Sequence, residues 1–214
     1  MIKIKEENTL RDSNMDLRVI RTKNAIRNAL VELIEEKGFK AFTVKDITNK
    51  AKINRGTFYA HYQDKYDLMI KCQEEIMQEM SKLVKQNLPN VIAEFETNSP
   101  PITPFTLAVS IFEYLNDNSE FMKAVLSPKG DLSFQTTLKD FMWKTLFENN
   151  PHALVKKENL LVPVQYLTSY IASAHIGVIQ QWLNSGRKES PQEMAQILST
   201  ITIHGPFFAI GLRK

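Results

Sequence analysis

Residues 42–68 read FTVKDITNKAKINRGTFYAHYQDKYDL, and the spacing of apolar residues and helix starts in this stretch decides the fold. Thr43 stands where a helix N-cap belongs, and Asp46 three residues on makes a weak capping box. Phe42 before the cap and Ile47 after it form a hydrophobic staple, so a helix should run from Val44 to about Ala51. Asn54 caps a second short helix, about Arg55 to Tyr62, with Ile53 and Phe58 repeating the staple. Lys52-Ile53-Asn54 is then the turn between them. Asp64 can cap a longer helix from Lys65 to about Asn87. Two short helices joined by a tight turn describe a helix-turn-helix, whose second helix enters the major groove of DNA.

Upstream, Ile26, Ala29, Leu30, Leu33 and Ile34 recur at helical spacing and form one apolar stripe, predicting a helix from Val19 to Lys37. Gly38 follows, where a left-handed helix end favours glycine. Downstream, Asn98-Ser99-Pro100-Pro101-Ile102-Thr103-Pro104 reads as a loop. Helical periodicity then predicts further helices at about 105–117, 119–127, 131–149, 158–186 and 191–211, with Pro206 kinking or ending the last. The segment 158–186 is apolar on nearly every side. Leu167, Ile171, Ala174, Val178 and Trp182 line one face, and Ile176, Ile179 and Leu183 another. Such a helix is buried within its own chain or against a second one. The fold class is all-α.

The spacing also sorts the second short helix by face. Phe58 and Tyr62 should point into the small core, while Arg55 with Tyr59 and Thr57 with His61 flank the outward side. Arg55 can bond guanine O6 and N7 or hold a phosphate. Thr57 can meet a thymine methyl or a phosphate, and Tyr59 and His61 can donate to phosphate oxygens. Gly56 allows a close approach of backbone and DNA. Thr43 and Lys65 sit at helix N-termini, which already favour anions. The same residues also suit a plain three-helix core with a polar face.

Charge is unevenly spread over the 214 residues. Residues 1–71 hold 15 Lys/Arg against 10 Asp/Glu, and the remainder 12 against 14, within a net charge of +3. A basic N-terminal third suits a polyanion, since neutralising phosphates releases counterions; a solvated basic surface gives the same balance. The lone Cys72 excludes an internal disulfide and reads as buried packing. No Cys/His cluster has zinc spacing, and no phosphate-binding glycine loop, GxSxG or HExxH occurs. The reading is a non-enzyme, with no metal and no cofactor. The N-terminal segment lacks the apolar core of a secretory signal, and a cytoplasmic location is expected.

Gly38-Phe39, Phe42-Thr43-Val44, Ile47, Ala51, Asn54-Arg55-Gly56-Thr57-Phe58-Tyr59-Ala60-His61-Tyr62, Lys65 and Leu68 together resemble the DNA-binding domain of TetR/AcrR-type transcriptional regulators. Many of that family carry serine where Asn54 stands, and both residues cap helices. The resemblance implies a DNA contact set of Thr43, Lys45, Asn54, Arg55, Gly56, Thr57, Tyr59, His61 and Lys65. The last two long helices, the second opening at Ser190-Pro191-Gln192-Glu193, resemble the family's dimerisation pair, in the pattern of the subgroup like the dihydroxyacetone-kinase regulator. The organisation implied is a flexible lead at 1–18, the helix-turn-helix domain at 19–66 and a helical effector-binding and dimerisation domain at 67–214. The partners implied are a palindromic operator in double-stranded DNA, a second copy of the chain, and a small-molecule effector; a protein partner in place of that effector is the alternative. Aromatic and sulfur-bearing residues are the pocket candidates: Phe105, Phe112, Phe121, Met122, Phe141, Trp143, Tyr166, Tyr170 and His175. Each of these suits ordinary core as well. Dimer-interface candidates are Ile171, Val178, Ile179, Trp182, Ile197 and Ile201.

Overall fold

Neither glycine nor proline occurs before Gly38, so nothing in residues 1–37 breaks a helix. In the computed structural model, which describes residues 2–96, 106–145 and 160–212, the first helix accordingly spans Ile2–Lys37 (α1), beginning well before the expected Val19. All five residues of the expected stripe, Ile26 to Ile34, are buried. Gly38 ends α1 at φ 82°, and its amide closes back onto the Ile34 carbonyl at 2.8 Å.

Two compact units follow from the chain contacts, Met1–Cys72 and Gln73–Lys214. In the first, α2 (Val44–Lys50) packs on α1 and α3 (Arg55–Tyr59) on α2, ahead of the start of α4 (Lys65–Glu96). Helices of seven and five residues are too short to persist alone. Packing holds them: Ile26, Leu30, Ile34, Phe42, Ile47, Phe58 and Leu68 are buried together. Each such side chain contributes about 1.5–3 kcal/mol by leaving water. Lys50 adds ion pairs from α2 to Glu32 at 3.0 Å and to Glu36 on α1.

The second unit carries α5 (Thr106–Asp117), α6 (Ser119–Leu126), α7 (Ser133–Trp143), α8 (Val164–Asn184), α9 (Pro191–His204) and α10 (Pro206–Ala209). Helix α5 packs on α9, α6 and α7 on α8, and α10 on α9. Thr168, Ala172, Ile176 and Leu183, at helical spacing, form the buried face of α8. Trp182 lies beside that face, and its indole turns inward: it is 2% exposed, meets Phe112 edge-on at 5.3 Å, and donates to the Glu189 carbonyl at 2.9 Å. A buried indole N–H needs an acceptor, and the α8–α9 loop supplies it. Trp182 is therefore core of its own chain: of the two expectations for it, packing or the dimer interface, the structure favours packing. Gly205, at φ 81°, ends α9, and Pro206 opens α10, so the expected 191–211 helix is broken there. All regular structure among the described residues is helical, and no helix among them is long and apolar enough to cross a membrane.

Candidate nucleic-acid interface

The helix-turn-helix is built by its caps. The Thr43 hydroxyl accepts from the Asp46 amide at 3.4 Å, and the Asp46 carboxylate accepts from the Thr43 amide at 2.8 Å, a full capping box. The Thr43 hydroxyl also donates to Asp46 at 2.7 Å. These two Thr43 hydrogen bonds, hydroxyl before backbone, hold the Asp46 carboxyl down to about 2, with Lys37 adding a smaller effect. The turn bends at Lys52, which takes φ 54°. A non-glycine residue pays for that left-handed conformation with about 1–2 kcal/mol. Asn54 then caps α3, its side-chain oxygen accepting from the Thr57 amide at 2.7 Å and the Thr57 hydroxyl at 3.0 Å.

Gly56 is constrained by this cap. A Cβ there would stand 3.2 Å from the Asn54 side-chain oxygen, so glycine protects the cap as well as leaving the surface bare. The expected helix to Tyr62 stops early: α3 ends at Tyr59, and the His61 and Tyr62 amides both turn onto the Phe58 carbonyl at 3.0 Å. His61 and Tyr62 thus belong to the exit turn. Phe58 and Tyr62 are buried, their rings 5.6 Å apart, as the spacing predicts.

The outward surface brings part of the expected DNA set together. Arg55, Gly56 and Tyr59 are exposed on α3, Tyr59 at 55%, and Lys45 is exposed on α2. Asn54 is exposed at the α3 cap, while Thr57 and His61 are half-buried. Thr43 and Thr57 give their hydroxyl hydrogens to Asp46 and Asn54, so as phosphate donors both are already engaged; their primary work is capping.

Lys65 requires a larger correction. Its ammonium donates to the carbonyls of Phe39 at 2.9 Å, Lys40 at 3.2 Å and Phe42 at 2.8 Å. Three donors meet three acceptors, and nothing remains for a phosphate. The rings of Phe39, Phe42 and Tyr66 surround it at 5.0–5.3 Å, and burial pushes its pKa down. The sequence placed Lys65 at a helix start, where a cation facing DNA is reasonable; the α1–α2 loop that claims the ammonium lies more than twenty residues away.

Comparison with known proteins adds an independent line. Residues 26–72 match the family model described as bacterial regulatory proteins, tetR family, and residues 102–204 match the transcriptional regulator C-terminal region. The chain belongs to the TetR family. It is similar to the uncharacterized HTH-type transcriptional regulator YxbF of Bacillus subtilis (strain 168), at 38% identity over 60 residues, 28% of this chain and 16% of YxbF. The chain thus spans a small part of that relative's length. A TetR transcriptional regulator from Streptococcus agalactiae 2603V shares the fold, with TM-score 0.58, 22% identity, and 89% and 98% of the two chains covered. So does the Bacillus subtilis FadR solved with stearoyl-CoA, with TM-score 0.53, 15% identity, and 85% and 97% covered. The N-terminal unit of this TetR-family protein is accordingly a DNA-binding helix-turn-helix.

The remaining candidates of the family's C-terminal region separate by burial. Phe112, Phe121 and Met122 are buried, and Phe141, Trp143 and His175 half-buried. Tyr166 and Tyr170 stand 69% and 58% exposed on α8, on its surface, which corrects them as pocket lining. Polar Gln165 and Ser169 are exposed beside them, so this side of α8 faces water in the single chain. Phe105 lies outside the described residues. Among the described residues a depression of about 180 Å³ opens between α6 and α8, lined by Lys123, Leu126, Ser127, Pro128, Gln180, Leu183 and Asn184. None of the aromatic candidates lines it. Of the interface candidates, Ile171, Val178, Ile179 and Ile201 are half-buried and Ile197 is 40% exposed.

Proposed function

We propose that this TetR-family regulator represses transcription by binding a palindromic operator in double-stranded DNA as a homodimer, and that an effector bound to its C-terminal unit releases it. The observation that carries the DNA contact is the outward face of α3, where Arg55, Gly56 and Tyr59 are exposed beside Lys45 on α2. Arg55 would read guanine or grip phosphate, and Tyr59 and Lys45 would hold the backbone. A cytoplasmic site of action goes with a DNA partner.

The homodimer is supported by apolar surface on α8 to α10. Ile171, Val178, Ile179 and Ile201 are half-buried, while Ile197, Ile203, Phe207 and Phe208 are exposed. Apolar side chains left at the surface in such number suit an interaction site. Two recognition helices must then meet major grooves about 34–36 Å apart. An effector that prefers another dimer geometry shifts the population away from that spacing, by no more than its differential affinity.

For the effector, there are two readings. The FadR neighbour, solved with stearoyl-CoA, exemplifies a small ligand on this fold. A protein partner in place of that ligand is the alternative, and the α6–α8 depression, with Lys123, Ser127, Gln180 and Asn184 in its lining, offers polar groups to either.

Selection from random duplex DNA with the purified protein, at two salt concentrations, tests the reading. A palindrome with half-sites about one turn apart is expected. Recovery of no motif, with binding that vanishes at moderate salt, would show only nonspecific attraction and remove the operator-binding reading.

A further inference from the structure

We propose that Lys65 and Lys71 are positioning residues for DNA recognition, fastening both ends of the helix-turn-helix to α4 through backbone carbonyls and contacting no phosphate themselves. This rests on the DNA-binding reading above.

The geometry is the same at both ends. Helix α1 leaves carbonyls beyond Lys37 without helical partners, and the Lys65 ammonium gathers those of Phe39 and Lys40 together with Phe42, the residue before the α2 cap. The entrance to the motif is thereby tied to the first turn of α4. Two turns on, Lys71 donates to the His61 carbonyl at 3.1 Å, just past the end of α3, and lies over the Tyr62 ring at 5.5 Å. Its second partner is Asp67 at 2.9 Å, one turn back on the same helix. The same Asp67 oxygen accepts from the Gln63 amide at 2.8 Å. The exit of α3 is therefore held by a carbonyl bond and an amide bond, both from α4.

Helix α3 has five residues and cannot set its own direction. Its aim at a major groove depends on what holds its two flanks. A charge-assisted bond to a carbonyl is short and strong, and three on one ammonium fix a point in space. A small misplacement of Arg55 lengthens its bonds to a base edge, so loosening either fastening lowers affinity without removing a DNA contact.

The test uses the full-length protein and the duplex recovered by selection, at temperatures where circular dichroism shows each variant folded. Lys65→Met is expected to weaken binding about tenfold or more, with the slope of log affinity against log salt unchanged. Loss of one phosphate contact lowers that slope by about 0.9. Lys65→Arg keeps the charge, so a phosphate role would preserve both affinity and slope. A planar guanidinium does not converge on three carbonyls as an ammonium does, so the positioning role predicts that Lys65→Arg also loses affinity at unchanged slope. Lys71→Met, at a half-exposed side chain, is expected to behave alike and gives the same readout should Lys65→Met fail to fold. Unchanged affinity in these variants, or a slope reduced by about one, overturns the proposal. A wild-type protein that binds no duplex specifically would overturn the operator reading instead.

Discussion

Arg55 and Lys65 are both cations at the first position of a helix, yet the fold gives them opposite surroundings. Arg55 is exposed, while the Lys65 ammonium meets three carbonyls. Arg55→Ala is expected to cost about 1–3 kcal/mol of operator affinity and to relax preference at one base position, read by competition with substituted duplexes. At the turn, Lys52 is held at φ 54°, so Lys52→Val should lower stability in urea melts, a branched Cβ being least tolerant there. Lys52→Gly should be neutral or stabilising in the same melts. Asp46 carries an acid dependence. Its carboxyl ionises near 2 when folded and near 3.8 ordinarily, so its contribution is complete above about pH 4 and lost as pH falls toward 2. In Thr43→Ala both hydroxyl bonds to Asp46 disappear. The acid loss over that window should shrink, with about 1 kcal/mol less stability at neutral pH.

Among the helices, α2 and α9 use one device at opposite ends of the chain. Ser190 accepts from the Glu193 amide at 3.3 Å, and Glu193 accepts from the Ser190 amide at 2.7 Å. Helices α8 and α9 are also joined by a polar pair. The Thr202 hydroxyl gives its hydrogen to the Leu198 carbonyl at 2.7 Å, so at 3.0 Å from His175 Nε2 it accepts. Burial pushes the His175 pKa below its ordinary value near 6.5. A histidine kept neutral by the fold stabilises it above that pH, and the contribution is lost as pH falls below it. Unfolding midpoints measured from pH 7.5 to 5 should drop in the wild type and drop less in His175→Phe; parallel curves would sink this assignment. Much of this element-level detail was legible from spacing: the stripe on α1, the caps at Thr43 and Asn54, and the glycine at Gly38. The early end of α3 was not, because its last turn is closed by the Phe58 carbonyl and by what α4 fastens beyond it.

For the molecule as a whole, Trp182 separates intrachain packing from association. Its indole fills the space beside Phe112, so Trp182→Ala should cost about 3–5 kcal/mol of stability, measured by denaturant unfolding. Ile197 is 40% exposed, and Ile197→Glu should leave the folded chain intact while shifting sedimentation toward monomer. A dimer unaffected by that change would move the interface away from α9. Loss of the dimer should take operator affinity with it, because two half-sites bind as one unit only when joined.

By itself, the amino-acid sequence determined the all-α class, the helix-turn-helix and the family, because periodicity, caps and the run Asn54 to Tyr62 are local signals carried within a few turns of chain. It also determined that Arg55 and Tyr59 share a helix face, since i and i+4 always do. Only the tertiary structure decided that Lys65 serves the α1–α2 loop, that Trp182 turns inward, and that Tyr166 and Tyr170 stand at the surface. Lys65 and Trp182 meet partners far away in sequence, the Phe39–Phe42 carbonyls and the Phe112 ring. A long side chain or a large ring goes wherever an acceptor or a space exists, and neither is written in the spacing of its own helix.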